Sequence, residues 1–101
     1  MGITVAALAA QESTFSFEYL GETVAVTYRL GAYTLEFESK PLIEALAEII
    51  VAWDVLDGDA PYPTTVEALG RLPEPFLWEV AKAMREDVRL GPTSAGTSGA
   101  R

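Results

Sequence analysis

Catalysis needs a nucleophile or base held by an orienting group, and few residues here could serve. The chain has no histidine and no cysteine. That removes the commonest general base, imidazole and thiolate metal ligands, cysteine nucleophiles and disulfides. Carboxylates, tyrosines, lysines and hydroxyls remain. Two carboxylate pairs have suggestive spacing, Glu36 with Glu38 and Asp57 with Asp59. The first falls on the polar face of an expected strand and the second flanks Gly58 in a loop, so neither is placed for the burial that perturbs a carboxylate. With Asp54 the loop resembles a calcium site only faintly, because the alternating ligands and terminal bidentate Glu of an EF-hand are missing. No glycine cluster opens a helix to cradle a phosphate outside the C-terminal tail. The expectation is a non-enzyme with no cofactor and no metal site.

The charge balance narrows the partners. Seven basic residues stand against fifteen acidic ones, a net charge of -8. Such a field repels a phosphate backbone, so nucleic-acid binding is not expected. The N-terminal run MGITVAALAAQES is apolar but lacks a basic leader and is too short to span a bilayer; a cytosolic protein without membrane contact is expected. With 101 residues, half of them apolar, the chain suits one domain with a real core.

The elements that would position these side chains follow from periodicity. Residues 1–13 are ambiguous between an edge strand, irregular chain and a helical turn at AALAAQE. Phe15, Phe17 and Tyr19 alternate with polar residues, as do Val24, Val26 and Tyr28, and then Tyr33, Leu35 and Phe37. These are the marks of half-buried strands. Two-residue turns at Gly21-Glu22 and Gly31-Ala32 would pair Tyr19 with Val24 and Tyr28 with Leu35, placing all the apolar side chains on one face. A three-stranded antiparallel meander is predicted.

Pro41 suits the first turn of a helix predicted from Leu42 to Leu56, ended by Asp57-Gly58. Leu42, Leu46, Ile49, Ile50 and Trp53 would cover the sheet. Val51 and Val55 would share the opposite face with Glu44 and Glu48, and a helix apolar on two faces is usually buried twice. Val51 and Val55 are therefore candidate partner-binding residues. Thr64 and Glu67 suggest a capping box opening a short helix. Beyond Pro73-Glu74-Pro75 a last helix carries the apolar stripe Phe76, Leu77, Val80, Ala81, Met84 and Val88, with Lys82 and Glu86 spaced as a pair. Trp78 lies off that stripe, either folded over a loop or exposed for a partner. The fold class is thus α+β, a meander followed by a helical half with two longer helices and one short one. Residues 14–90 form the domain, and the small, polar tail 91–101 is expected to be disordered.

Trp53-Asp54, the Asp/Gly/Pro loop to Pro63, Thr65, Leu69, and then Leu72-Pro73 followed by Phe76-Leu77 resemble the tail assembly chaperones of long-tailed bacteriophages. FSFEYLGETVAVTYRL is also similar to members of that group, and the likeness spans roughly residues 15–88. The resemblance implies a non-enzymatic protein in the bacterial host cytoplasm. It would bind the helical tape measure protein, and possibly the tail tube protein, during tail assembly, and would form homo-oligomers. Val51, Val55, Trp78 and Leu77 are the residues expected to meet the partner, in a groove between the two longer helices. The alternatives are a phage connector subunit or another small acidic interaction module.

Overall fold

The computed structural model describes residues 2–90, so the expected disorder of 91–101 lies outside the described residues. The expected class is present: a three-stranded antiparallel sheet and a helical C-terminal region. In order, the elements are helix α1 (Val5–Ala9), strands β1 (Ser13–Tyr19) and β2 (Glu22–Tyr28), two 3-10 turns at Leu30–Ala32 and Phe37–Ser39, and helix α2 (Leu42–Ile49). Strand β3 (Ile50–Trp53), the small hairpin β4 (Leu56–Asp57) and β5 (Ala60–Pro61), and helices α3 (Val66–Leu69) and α4 (Glu74–Leu90) follow.

The ambiguity at residues 1–13 resolves as a short helix and not a strand. Thr4 caps it, its Oγ1 accepting from the amide of Ala7 at 3.0 Å. No residue of α1 is buried. It rests on the turn at Leu30–Ala32, where the Gly31 amide donates to the Gln11 carbonyl at 3.1 Å. A side chain at Gly31 would strike the carbonyl groups of Leu8 and Ala9. Glycine is thus required by close approach, and not by the hairpin turn expected there.

The first hairpin forms with its predicted faces and a loop of the predicted length placed one residue earlier. Tyr19 pairs with Glu22, Phe17 with Val24, Phe15 with Val26 and Ser13 with Tyr28. This register is two residues from the expected one, and an even shift keeps every side chain on its face. The turn is Leu20-Gly21, with φ of 55° and 80°, the double left-handed geometry of a type I′ turn. Across the polar face the hydroxyls of Thr14 and Thr27 hydrogen-bond at 2.8 Å.

The third strand is not where alternation put it. Residues 33–37 leave the sheet, and Leu35 is 92% exposed. The strand comes instead from the second half of the predicted helix at 42–56, which ends at Ile49. Ile49, Ile50 and Val51 are three consecutive β-branched residues, whose stiff χ1 favours a pleated chain over a helix. Arg29 secures the switch: its amide donates to the Ile49 carbonyl and its guanidinium to the Glu48 carbonyl, both at 2.9 Å. These bonds satisfy carbonyls that a terminating helix leaves open. β3 then pairs with β2, Tyr28 opposite Ile50 and Thr27 opposite Ala52, with Val51 as the extra residue of a bulge. Asp54 closes the pairing, its Oδ1 accepting from the Ala25 amide at 2.8 Å.

The core lies between the apolar sheet face and the helices. Val26, Tyr28, Ile49, Leu69 and Val80 are fully buried there, with Leu46 and Met84 nearly so. Phe76 joins the layers, its ring 5.1 Å from Tyr19 and 6.1 Å from Trp53. Trp53 is a core residue whose Nε1 donates to the Tyr62 carbonyl at 2.7 Å, and the Tyr62 hydroxyl donates to the Ala68 carbonyl at 2.7 Å. The cap of α3 is Thr65, one residue beyond the expected Thr64, with its Oγ1 accepting from the Ala68 amide.

Candidate interaction surface

α4 carries the two features from which a site can be built. Its inner face holds the stripe read from periodicity, with Phe76, Leu77, Val80 and Met84 buried and Ala81 and Val88 half-buried. The same face also holds Asp87, which periodicity passed over. Its Oδ2 accepts from the Ser13 Oγ and the Tyr28 hydroxyl, both at 2.8 Å, and only 8% of the residue is exposed. Ser13 and Tyr28 are partners across the β1–β2 ladder, so one carboxylate ties the far end of α4 to two strands. Burial, and then the hydrogen bond to Asp87, push the Tyr28 phenol well above its ordinary value of 10.0. A sealed carboxylate with two hydroxyl donors already aimed at it positions a helix and offers no approach to a substrate.

The outer face of α4 borders open surface. Between α4, α2 and the turns at 33–40 runs a groove of about 230 Å³, walled by Tyr33, Phe37, Leu42, Trp78, Ala81 and Arg85. A second hollow of about 350 Å³ lies on the other side of Trp78, against Leu42, Ile43, Leu72 and the edge of Leu77. Trp78 is therefore a ridge between two apolar hollows, 54% exposed, its Nε1 donating to Glu74 Oε2 at 3.1 Å. The rings of Tyr33 and Phe37 pack with centroids 4.8 Å apart, tilted by 41°. Burial and a hydrogen bond to Glu38 raise the Tyr33 phenol above its usual value, while the guanidinium of Arg85 opposes them. Lys40 at the rim is ion-paired with Glu48, and that bond raises its ammonium pKa.

Of the residues expected to meet a partner, Trp78 alone stands in this surface as an exposed side chain. Leu77 is 3% exposed and belongs to the core, touching only the second hollow. Val51 and Val55 are not on a helix, so the two-faced helix that singled them out does not exist. Val51 is 42% exposed at the β3 bulge, Val55 is half-buried against the core, and neither lines the grooves. In their place stand Tyr33 and Phe37, hidden because 33–37 alternates like a strand, and Leu42, which was expected over the sheet. The expected Lys82–Glu86 pair is replaced by Arg89–Glu86 at 2.8 Å.

Glu36, Glu38, Asp57 and Asp59 are all exposed. Among the described residues no group of three or more acidic side chains could hold a metal ion, and no helix is long and apolar enough to cross a membrane. Comparison with protein-family models, with curated proteins and with solved structures finds no match to this chain.

Proposed function

We propose that this chain is a protein-interaction module whose α2–α4 groove receives a helical segment of another protein. In biological role we propose a phage tail assembly chaperone acting on the tape measure protein in the host cytoplasm. The observation that carries the reading is Trp78, more than half exposed between two apolar hollows. A helix laid in such a groove offers side chains at i, i+3 and i+4, two of which could straddle the indole. Tryptophan is also the residue type most often found at the centre of binding energy. Of the resemblance residues, Trp53, Leu69, Phe76 and Leu77 sit in one core, while Trp78 on the same helix as Phe76 and Leu77 is exposed.

Co-expression with the tape measure protein of the same genome tests this directly. The tape measure protein should remain in the soluble fraction and co-purify with the chain, and Trp78→Ala should reduce its recovery about tenfold or more. Val51→Asp, outside the groove, should leave recovery unchanged. Mass spectrometry of purified virions should not find the chain. Its presence there at stoichiometric levels would favour a connector subunit and overturn the chaperone role.

A further inference from the structure

One ribbon on the exposed face of α4, flanked by the exposed Glu74 and Glu86, carries a charge opposite to that of the chain. At 3.6 residues per turn, Trp78, Lys82, Arg85 and Arg89 fall within about 60° of one another, a ribbon about 16 Å long. All four are exposed. Three of the chain's seven basic residues thus stand in one line, in a protein of net charge -8. The helix dipole accounts for a cation only within the last turn, which covers Arg89 but not Lys82 or Arg85. Intramolecular ion pairing does not account for them either, although the Arg85 guanidinium also hydrogen-bonds the Tyr33 hydroxyl, itself bonded to Glu38. Among the described residues the ion pairs are Lys40–Glu48 and Arg89–Glu86, and Lys82 and Arg85 form none. Lys82 and Arg85, with Trp78, also line a shallow hollow of about 170 Å³.

From this juxtaposition we infer that the groove selects an acidic amphipathic helix. The apolar residues of that helix fill the hollows beside Trp78, and its carboxylates meet Lys82 and Arg85, with Arg89, already paired to Glu86, at the end of the ribbon. The inference rests on the groove being the interaction surface and adds the chemistry of its partner. Coulombic attraction over a few ångströms acts locally, whereas the overall negative field acts at longer range and is screened beyond about 8 Å at physiological salt. A short acidic segment therefore docks despite the net charge. An anionic membrane or a nucleic acid presents an extended sheet or rod of charge to the whole acidic molecule, and it cannot enter hollows shaped for side chains.

The test uses two synthetic helical peptides of about five turns, with identical leucine stripes and a polar face of Glu in one and Lys in the other. Titration is followed by tryptophan fluorescence, with Trp78→Phe identifying the reporting indole. The acidic peptide should bind at least about tenfold more tightly than its basic twin, and its affinity should fall as salt is raised. Lys82→Glu with Arg85→Glu, both on the solvent face, should reverse that preference while leaving the circular dichroism spectrum unchanged. Net charge alone predicts the opposite order, so a basic peptide that binds as well or better overturns the inference. If both peptides bind equally and the charge reversals change nothing, the groove remains an interaction site and only the acidic selectivity falls. If neither binds, the groove reading falls with it. Binding of vesicles of anionic phospholipid that competes with the acidic peptide would assign the ribbon to a membrane surface and refute the proposal.

Discussion

Replacing Asp87 by alanine should be among the most damaging single changes this fold can suffer. The carboxylate accepts two hydroxyl protons at 2.8 Å in a nearly sealed site. A hydrogen bond to a charged group contributes about 1.5–3 kcal/mol, and a buried hydroxyl left without an acceptor costs about 1–3 kcal/mol. Since the two figures describe overlapping losses, about 3–5 kcal/mol is expected for Asp87→Ala, against a total stability of about 5–15 kcal/mol for a domain. Urea unfolding followed by the core residue Trp53 should show it. With a slope of about 1.5 kcal/mol per molar urea, the midpoint falls by about 2–3 M. A cycle with Tyr28→Phe separates the network from mere packing. In the natural background the loss of the Tyr28 hydroxyl should cost about 1.5–3 kcal/mol. In the Asp87→Ala background it should be neutral or stabilising, because it removes an orphaned donor. A loss below about 1 kcal/mol for Asp87→Ala, or an equal cost for Tyr28→Phe in both backgrounds, would refute the reasoning.

Three further expectations follow from individual positions. The Tyr28 phenol is raised in the folded state above its ordinary 10.0. Above pH 10 the unfolded chain therefore loses a proton that the folded one retains, and this group should lower stability by up to about 1.4 kcal/mol per pH unit; Tyr28→Phe should make that limb shallower, leaving the part due to the raised Tyr33 phenol, in denaturation curves taken from pH 9 to 11.5, roughly. Leu20 occupies a left-handed position at φ 55° while 89% exposed, so Leu20→Asn should stabilise by about 1 kcal/mol and raise the melting temperature. Leu20→Gly should gain less, because it also loosens the unfolded chain. Gly31→Ala should force α1 off the turn at Leu30–Ala32; with no buried residue in α1, the loss should be modest, about 1–2 kcal/mol. It should appear as faster amide exchange confined to residues 2–11.

What could be read in advance was whatever depended on a face, and what could not was whatever depended on a competitor. The alternation of Phe15, Phe17, Val24, Val26 and Tyr28 identified the buried side of the hairpin even though the loop was placed one residue late, because an even register shift is invisible to a period of two. The stripe on α4 was legible for the same reason. Residues 33–37 alternate as well as any strand, yet they lost the sheet edge to Ile50–Trp53, and no local pattern ranks two candidates for one edge. Asp87 was illegible because a charged residue on the buried side of a helix makes sense only when Ser13 and Tyr28, far away in sequence, are seen to donate to it. Val51 and Val55 were selected by helical geometry and lost their meaning when the helix stopped at Ile49.

That single exchange of strand for helix also made the candidate site. Had 33–37 formed the third strand, Tyr33 and Phe37 would have faced the core and the helix at 42–56 would have covered them, leaving no groove beside α4. Because Ile50–Trp53 takes the edge instead, α2 ends after eight residues, and the displaced segment folds into turns that bring Tyr33 and Phe37 beside Trp78. The stiffness of three β-branched side chains is thus coupled to the shape of a surface on the other helix. Replacing Ile50 and Val51 by alanine and leucine, which favour helix by a few tenths of a kcal/mol each, should weaken β3 pairing and loosen the groove together. Fluorescence of Trp78, read in a Trp53→Phe background, should then shift alongside loss of exchange protection at Thr27 and Arg29, whose amides face β3. Movement of one without the other would show that sheet edge and groove are independent.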